Sequence, residues 1–181
     1  MRTQRMLVTA LLAAALCVMA PFTMPIGPVA ITLAPLGVYL AAGLLGPAGG
    51  CAVVGLYLAL GGLGVPVFAG FSGGLSHLFG PTGGFLWGYL LCALVSGLLC
   101  RLKPHRHLIP VWLLCGTLVL YGMGCGWFAW QTDSTLWAMV AMIAPCLPGD
   151  LAKIAVATGL ILSLRGRVRR LLANGIKEQR Q

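Results

Sequence analysis

Pro148-Gly149-Asp150-Leu151-Ala152-Lys153-Ile154-Ala155-Val156-Ala157-Thr158-Gly159-Leu160-Ile161-Leu162-Ser163-Leu164 sets an acid and a base at i,i+3 spacing at the head of an apolar run that ends at Arg165. Pro-Gly marks a helix start, so Asp150 falls in the first turn, where the helix dipole favours an anion. The i,i+3 spacing puts Lys153 on the same face. Every other basic residue lies near a chain end or between Arg101 and Arg106, so Lys153 alone sits among residues that belong in lipid. An ionisable group at that depth costs about 2.5–3.5 kcal/mol on insertion scales and normally faces a cavity or a partner. Lys153 precedes Arg165 by about 18 Å of helix at 1.5 Å per residue, which places the pair toward the outer half of the bilayer. Two readings remain open: a binding site for a polar ligand, and a self-neutralised pair turned into a bundle.

The rest of the chain agrees with a membrane setting. Of 181 residues 59% are apolar and three are acidic, with mean hydropathy +0.95. Those values exclude an ordinary soluble domain. Six apolar runs, at about 6–24, 29–46, 48–63, 83–100, 109–129 and 149–165, approach the ~20 residues of a bilayer crossing. Residues 136–145 are too few to span and read as an interfacial helix. The fold class is therefore an all-α integral membrane protein, a single domain over 1–181 ending in a basic tail at 165–181.

Charge sets the topology. Arg2 and Arg5, then Arg101, Lys103 and Arg106, then Arg165, Arg167, Arg169, Arg170, Lys177 and Arg180 fall on one side of a six-span bundle, while the opposite loops carry only Asp133. By the positive-inside rule both termini are cytoplasmic. The first run imitates a signal peptide, but Pro21 directly after Ala20 disfavours cleavage, and its removal would turn the basic clusters outward. It is read as a retained helix. The net charge of +9 accordingly serves lipid headgroups and topology rather than nucleic acid, since the bases do not interleave with aromatics on a polar face.

A second constellation lies between the third and fourth spans. Gly61-Gly-Leu-Gly-Val-Pro-Val-Phe-Ala-Gly70-Phe-Ser-Gly-Gly-Leu-Ser-His-Leu-Phe-Gly80-Pro-Thr-Gly-Gly84 alternates glycines with apolar side chains, unlike a disordered linker. Loops of this length are lids or binding loops, or else packed caps. Gly70-Phe-Ser72-Gly-Gly74 matches GxSxG, the nucleophile turn of serine hydrolases. His77 follows Ser72 too closely to act as its base, and His105 and His107 lie on the cytoplasmic side, so an intramembrane hydrolase is disfavoured. The seven cysteines form no CxxC pair and read as small buried hydrophobes; no metal site is expected. No GxxxxGK[ST] phosphate loop occurs. Ala10/Ala14, Gly46/Gly50 and Gly84/Gly88 offer small-xxx-small faces for close helix contact.

Pro25-Ile-Gly-Pro28 with Ile31-Thr-Leu33, the Gly61–Gly70 stretch, Gly73-Gly74, Gly80-Pro-Thr-Gly-Gly84 and Pro148-Gly-Asp150-Leu-Ala-Lys153 together resemble the BioY family, the biotin-binding S components of energy-coupling-factor (ECF) transporters. They occur in family order over nearly the whole chain. The resemblance implies six transmembrane helices, a pocket open to the outside under the first outer loop and the Gly-rich loop, and a multi-pass place in the cell membrane. It implies biotin as transported ligand, no cofactor and no catalysis. Asp150 and Lys153 match the family's binding pair: Asp150 would accept a ureido N–H, and Lys153 would neutralise Asp150 and donate to a ligand oxygen. Phe71, Ser72 and Tyr89 are further pocket candidates. The Ala10/Ala14 face would dock on a transmembrane coupling protein that works with two ABC-type ATPases. The alternative within transport is a solo carrier of biotin or another small carboxylate. Two positions depart from the family pattern: Ala34 stands where Gln is usual, and Ala48 where a charged residue is usual.

Overall fold

Residues 2–26, 29–102, 105–133 and 146–178 are described by a computed structural model. Helix α1 runs Arg2–Met19, and its last turn closes with Ala20 N–H donating to Leu16 O at 2.9 Å. The chain then forms an antiparallel hairpin, β1 (Thr23–Ile26) and β2 (Val29–Thr32), in the register Thr23↔Thr32 and Ile26↔Val29. This corrects the sequence expectation, which carried the first span to 24 and began the second at 29. Pro21, Pro25 and Pro28 disfavour helix at the residues before them, and Val29, Ile31 and Thr32 are β-branched. Apart from this short hairpin, the described residues form a helical bundle, as the sequence led one to expect.

Helix α2, Ala34–Gly62, starts with Pro35 in its first turn, where a missing N–H costs nothing. It breaks at Gly46 (φ 76, ψ −169), immediately before Pro47, where the sequence divides two runs. A Cβ on Gly50 would lie 3.1 Å from Ala42 Cα, whereas an unbroken helix would separate these residues by about 12 Å. The chain therefore doubles back at Gly46 into two packed arms. Gly46/Gly50, read as a small helix face, instead belongs to this reversal. Gly97 of α4 (Gly83–Leu102) presses on the same corner: a Cβ there would meet Pro47 N at 2.7 Å.

Between α2 and α4 lie a 3-10 turn at Ala69–Phe71 and the short helix α3, Leu75–Phe79. After a second 3-10 turn at Arg106–Leu108, α5 spans Ile109–Thr132. Helix α6 runs Leu147–Glu178, well past the expected end at 165, because Arg, Leu and Ala sustain helix after the apolar run stops. The interfacial segment expected at 136–145 lies outside the described residues. Among the described residues four helical segments, Ala34–Gly62, Gly83–Leu102, Arg106–Thr132 and Leu147–Gly166, are long and apolar enough to cross a membrane; Gln4–Met19 is apolar but shorter.

The bundle packs through small residues. Gly84 and Gly88 of α4 receive Trp127 and Leu120 of α5, so this motif is a helix–helix contact. Tyr39 and Thr117 share a fully buried 2.6 Å hydrogen bond between α2 and α5. Thr117 already donates to Leu113 O, so Tyr39 is the donor. The outer faces stay apolar and exposed, as at Leu94, Leu98, Leu118 and Val156, which suits a lipid surround. Ala10 and Ala14 also lie on the exposed face of α1, flanked by Met6, Leu7, Leu11 and Val18.

Candidate functional site

Asp150 occupies the first turn of α6, and Lys153 stands one turn further on. Their side chains meet at 2.7 Å between Nζ and Oδ1, and the two residues are only 5% and 9% exposed. The second carboxylate oxygen, Oδ2, accepts from the Tyr121 hydroxyl of α5. An acid buried beside one cation and one phenol is well compensated, yet each carboxylate oxygen retains acceptor capacity.

These three residues line a cavity of about 350 Å³. Its apolar wall includes Phe68, Phe85, Leu86 and Leu120, and its polar groups include Thr32, Ser72, His77, Thr82 and Tyr89. Thr32 of β2 and Tyr89 of α4 share a hydrogen bond at 3.3 Å, which ties the hairpin to the bundle at the cavity. The Gly-rich segment joins the same region through Gly70 N–H donating to Pro21 O at 3.1 Å. Glycines permit its tight path: Gly74 has φ 107, and a Cβ on Gly73 would strike the Val65 carbonyl.

Four of the residues singled out from sequence, Asp150, Lys153, Ser72 and Tyr89, stand on the cavity wall. Phe71 does not. It is 62% exposed at φ 58, and its ring meets that of Phe22 edge-on at 5.7 Å on the outer surface. Ser72 donates to Ala69 O at 2.8 Å rather than to an imidazole, an arrangement without an activated nucleophile. Among the described residues no cluster of His, Cys, Asp or Glu could hold a metal. Of the two departures, Ala34 is buried beside the cavity-lining Pro35, whereas Ala48 is exposed next to the Gly46 reversal.

Sequence reasoning did not single out Tyr121, Thr32, Thr82, Phe68 or Cys146 as cavity residues, and it considered His77 only as a base. A phenol inside an apolar span is a detectable signal, since a buried Tyr hydroxyl needs a partner. Thr32 stands in the Ile31-Thr-Leu33 motif, but its place on the cavity follows from the hairpin.

Comparison with known proteins gives a consistent set. The BioY family model matches residues 1–170. The chain is 40% identical over 166 residues to the "Biotin transporter BioY" of Rhodobacter capsulatus, covering 81% of this chain and 85% of that protein. It is 36% identical over 143 residues to the protein of the same name from Thermotoga maritima, covering 79% and 85%. Its fold is similar to the crystal structure of an S-component for biotin from an ECF-type ABC transporter, with TM-score 0.85 and 28% identity over 91% of this chain and 92% of that one.

Proposed function

The chain belongs to the BioY family, and from that premise we propose that it captures biotin from outside the cell and delivers it inward as the substrate-binding subunit of an ECF transporter. The observation that carries this reading is the buried Asp150–Lys153 pair on the wall of a cavity of about 350 Å³. That volume lies at the small end of the ~300–1,000 Å³ range of small-molecule sites, which suits a compact ligand.

Biotin matches the chemistry of the wall. Its ureido N–H donates to Asp150, and Lys153, held by that carboxylate, donates to a ligand oxygen. Tyr121 and Tyr89 position the polar end, Tyr121 by holding Asp150 and Tyr89 by holding Thr32. Ser72 contributes to the wall from the Gly-rich segment, and Phe71 covers the outer surface above it. Phe68, Phe85, Leu86 and Leu120 supply apolar surface for the sulfur ring and the alkyl chain.

The bundle crosses the cell membrane six times, counting the arms of α2 separately, with both termini cytoplasmic. The support is the segregation of Lys and Arg and the reversal at Gly46. Energy comes from partners, a transmembrane coupling protein and two ABC-type ATPases, because this sequence has no phosphate loop of its own. The exposed Ala10/Ala14 face of α1 is the docking surface, where small side chains allow close helix approach.

Calorimetric titration of the purified chain with biotin tests the reading. Binding at micromolar concentration or tighter is expected, and heat no greater than that of dilution up to millimolar biotin would overturn it. Uptake that persists undiminished in cells lacking the coupling protein and ATPases would instead favour the solo carrier.

A further inference from the structure

Helix α3 has five residues, too few to hold together as an isolated helix. Its buried side chain is Leu78, while Leu75 and Phe79 are exposed, so burial alone does not fix its place. Its last carbonyls do. Trp87 Nε1 of α4 donates to Leu78 O at 3.2 Å, Gln131 Nε2 of α5 to Phe79 O at 2.8 Å, and Trp127 Nε1 of α5 to Gly80 O at 3.1 Å. Trp127 Nε1 also donates to Gln131 Oε1 at 3.1 Å, which fixes the direction of that amide. Carbonyls at a helix end have no partner within the helix. Here three in succession are met by side chains of two other helices.

None of the three donors lines the cavity, but the stretch they hold does. His77 within α3 and Thr82 just beyond it stand on the wall, and Thr82 leads into Phe85 and Leu86 at the head of α4. The backbone is closely fitted along this stretch. Gly83 N–H donates to Gly80 O at 2.9 Å, and a Cβ on Gly83 would strike the Leu78 carbonyl. A wall that is in place before the ligand arrives need not be ordered by binding, so none of the interaction energy is spent on it.

We propose that Trp127 and Gln131, together with Trp87, are positioning residues of this site: by holding the carbonyls of Leu78, Phe79 and Gly80 they keep α3 and the turn to Thr82 in the ligand-ready place while the cavity is empty. The assignment rests on the biotin reading above and deepens it. It makes the rate of capture, rather than the rate of release, depend on three side chains that never touch the ligand.

The test follows radiolabelled biotin on the purified full chain, with association and dissociation measured separately and bound biotin at saturation counting the folded protein. In the double variant Trp127→Phe, Gln131→Met, α3 leaves its place for part of the time and only the assembled molecules accept ligand. The association rate should therefore fall about tenfold, the scale of one to two lost hydrogen bonds. The dissociation rate should keep its wild-type value, and deuterium exchange of the backbone at 75–83 in the ligand-free protein should speed up. Gln131→Lys, which still donates to Phe79 O, should associate faster than Gln131→Met at an ionic strength that screens its added charge. A double variant that associates at the wild-type rate overturns the assignment whatever its unfolding temperature, since a merely structural role moves stability alone. Faster dissociation with association unchanged overturns it too, because the side chains would then act on the bound ligand. Both of these outcomes leave the biotin reading intact, whereas a wild type that binds no biotin removes that reading and this assignment together.

Discussion

Tyr121 of α5 donates its hydroxyl to Asp150 of α6 on the carboxylate oxygen opposite the one that meets Lys153. The acid is thereby held from two helices, and its orientation toward the cavity depends on how α5 and α6 sit against each other. Tyr121→Phe removes only that hydroxyl. Biotin affinity should fall about tenfold, the loss expected for one charge-assisted hydrogen bond, with helical content unchanged. Titration calorimetry and circular dichroism together check this outcome.

The Asp150–Lys153 pair should be strongly non-additive. Removing one partner, as in Lys153→Met or Asp150→Asn, leaves an uncompensated group in a buried setting and should destabilise the bundle by about 3–5 kcal/mol where a charge is stranded. Lys153→Met strands the carboxylate and should be the worse of the two. The double variant should recover most of the stability but bind no biotin. Thermal unfolding in detergent of the four proteins gives the coupling, and additive shifts would mean that the two side chains do not interact.

Thr32→Val keeps the shape of the side chain and deletes its bond to Tyr89. If the hairpin acts as a cover for the cavity, loosening this one attachment should speed biotin release several-fold while shifting the unfolding temperature little, since the bond is long and partly exposed. Stopped-flow displacement by excess unlabelled biotin measures the rate. Tyr89→Phe should reproduce the same release rate, because it deletes the same bond from the other side.

Ala14→Trp places a large ring on an exposed face of α1 that contributes nothing to the cavity. Biotin binding by the isolated chain should be unchanged. Co-purification with the coupling protein, and uptake in cells that contain it, should be lost because the close approach permitted by small residues is blocked. Retention of both would move the docking surface away from this face of α1.

Hydropathy and charge made the membrane setting, the helices α4 and α5 and the pairing of Asp150 with Lys153 legible, because each depends on composition over a window or on a rare residue in an apolar run. The hairpin at 23–32 escaped the same reading. Its apolar residues look like those of a span, and only the three prolines and the β-branched cluster mark it as extended. Tyr121 was hidden for a different reason. When a helix faces lipid on one side and a bundle on the other, both faces are apolar, so the sequence gives little signal for which residues turn inward. The rotation of α5 that brings Tyr121 to Asp150 is set by packing such as Gly88 against Leu120 and Gly84 against Trp127, contacts that join separate helices.

Helix α6 carries the acid–base pair near one end and continues without a break to Glu178. At 1.5 Å per residue such a helix is about 48 Å long, against about 30 Å of hydrocarbon. It forms one continuous rod. A small change of tilt imposed at its Glu178 end would swing Asp150 and Lys153 at the other, so force applied to the far end of the helix would have a direct mechanical route to the buried pair on the cavity wall.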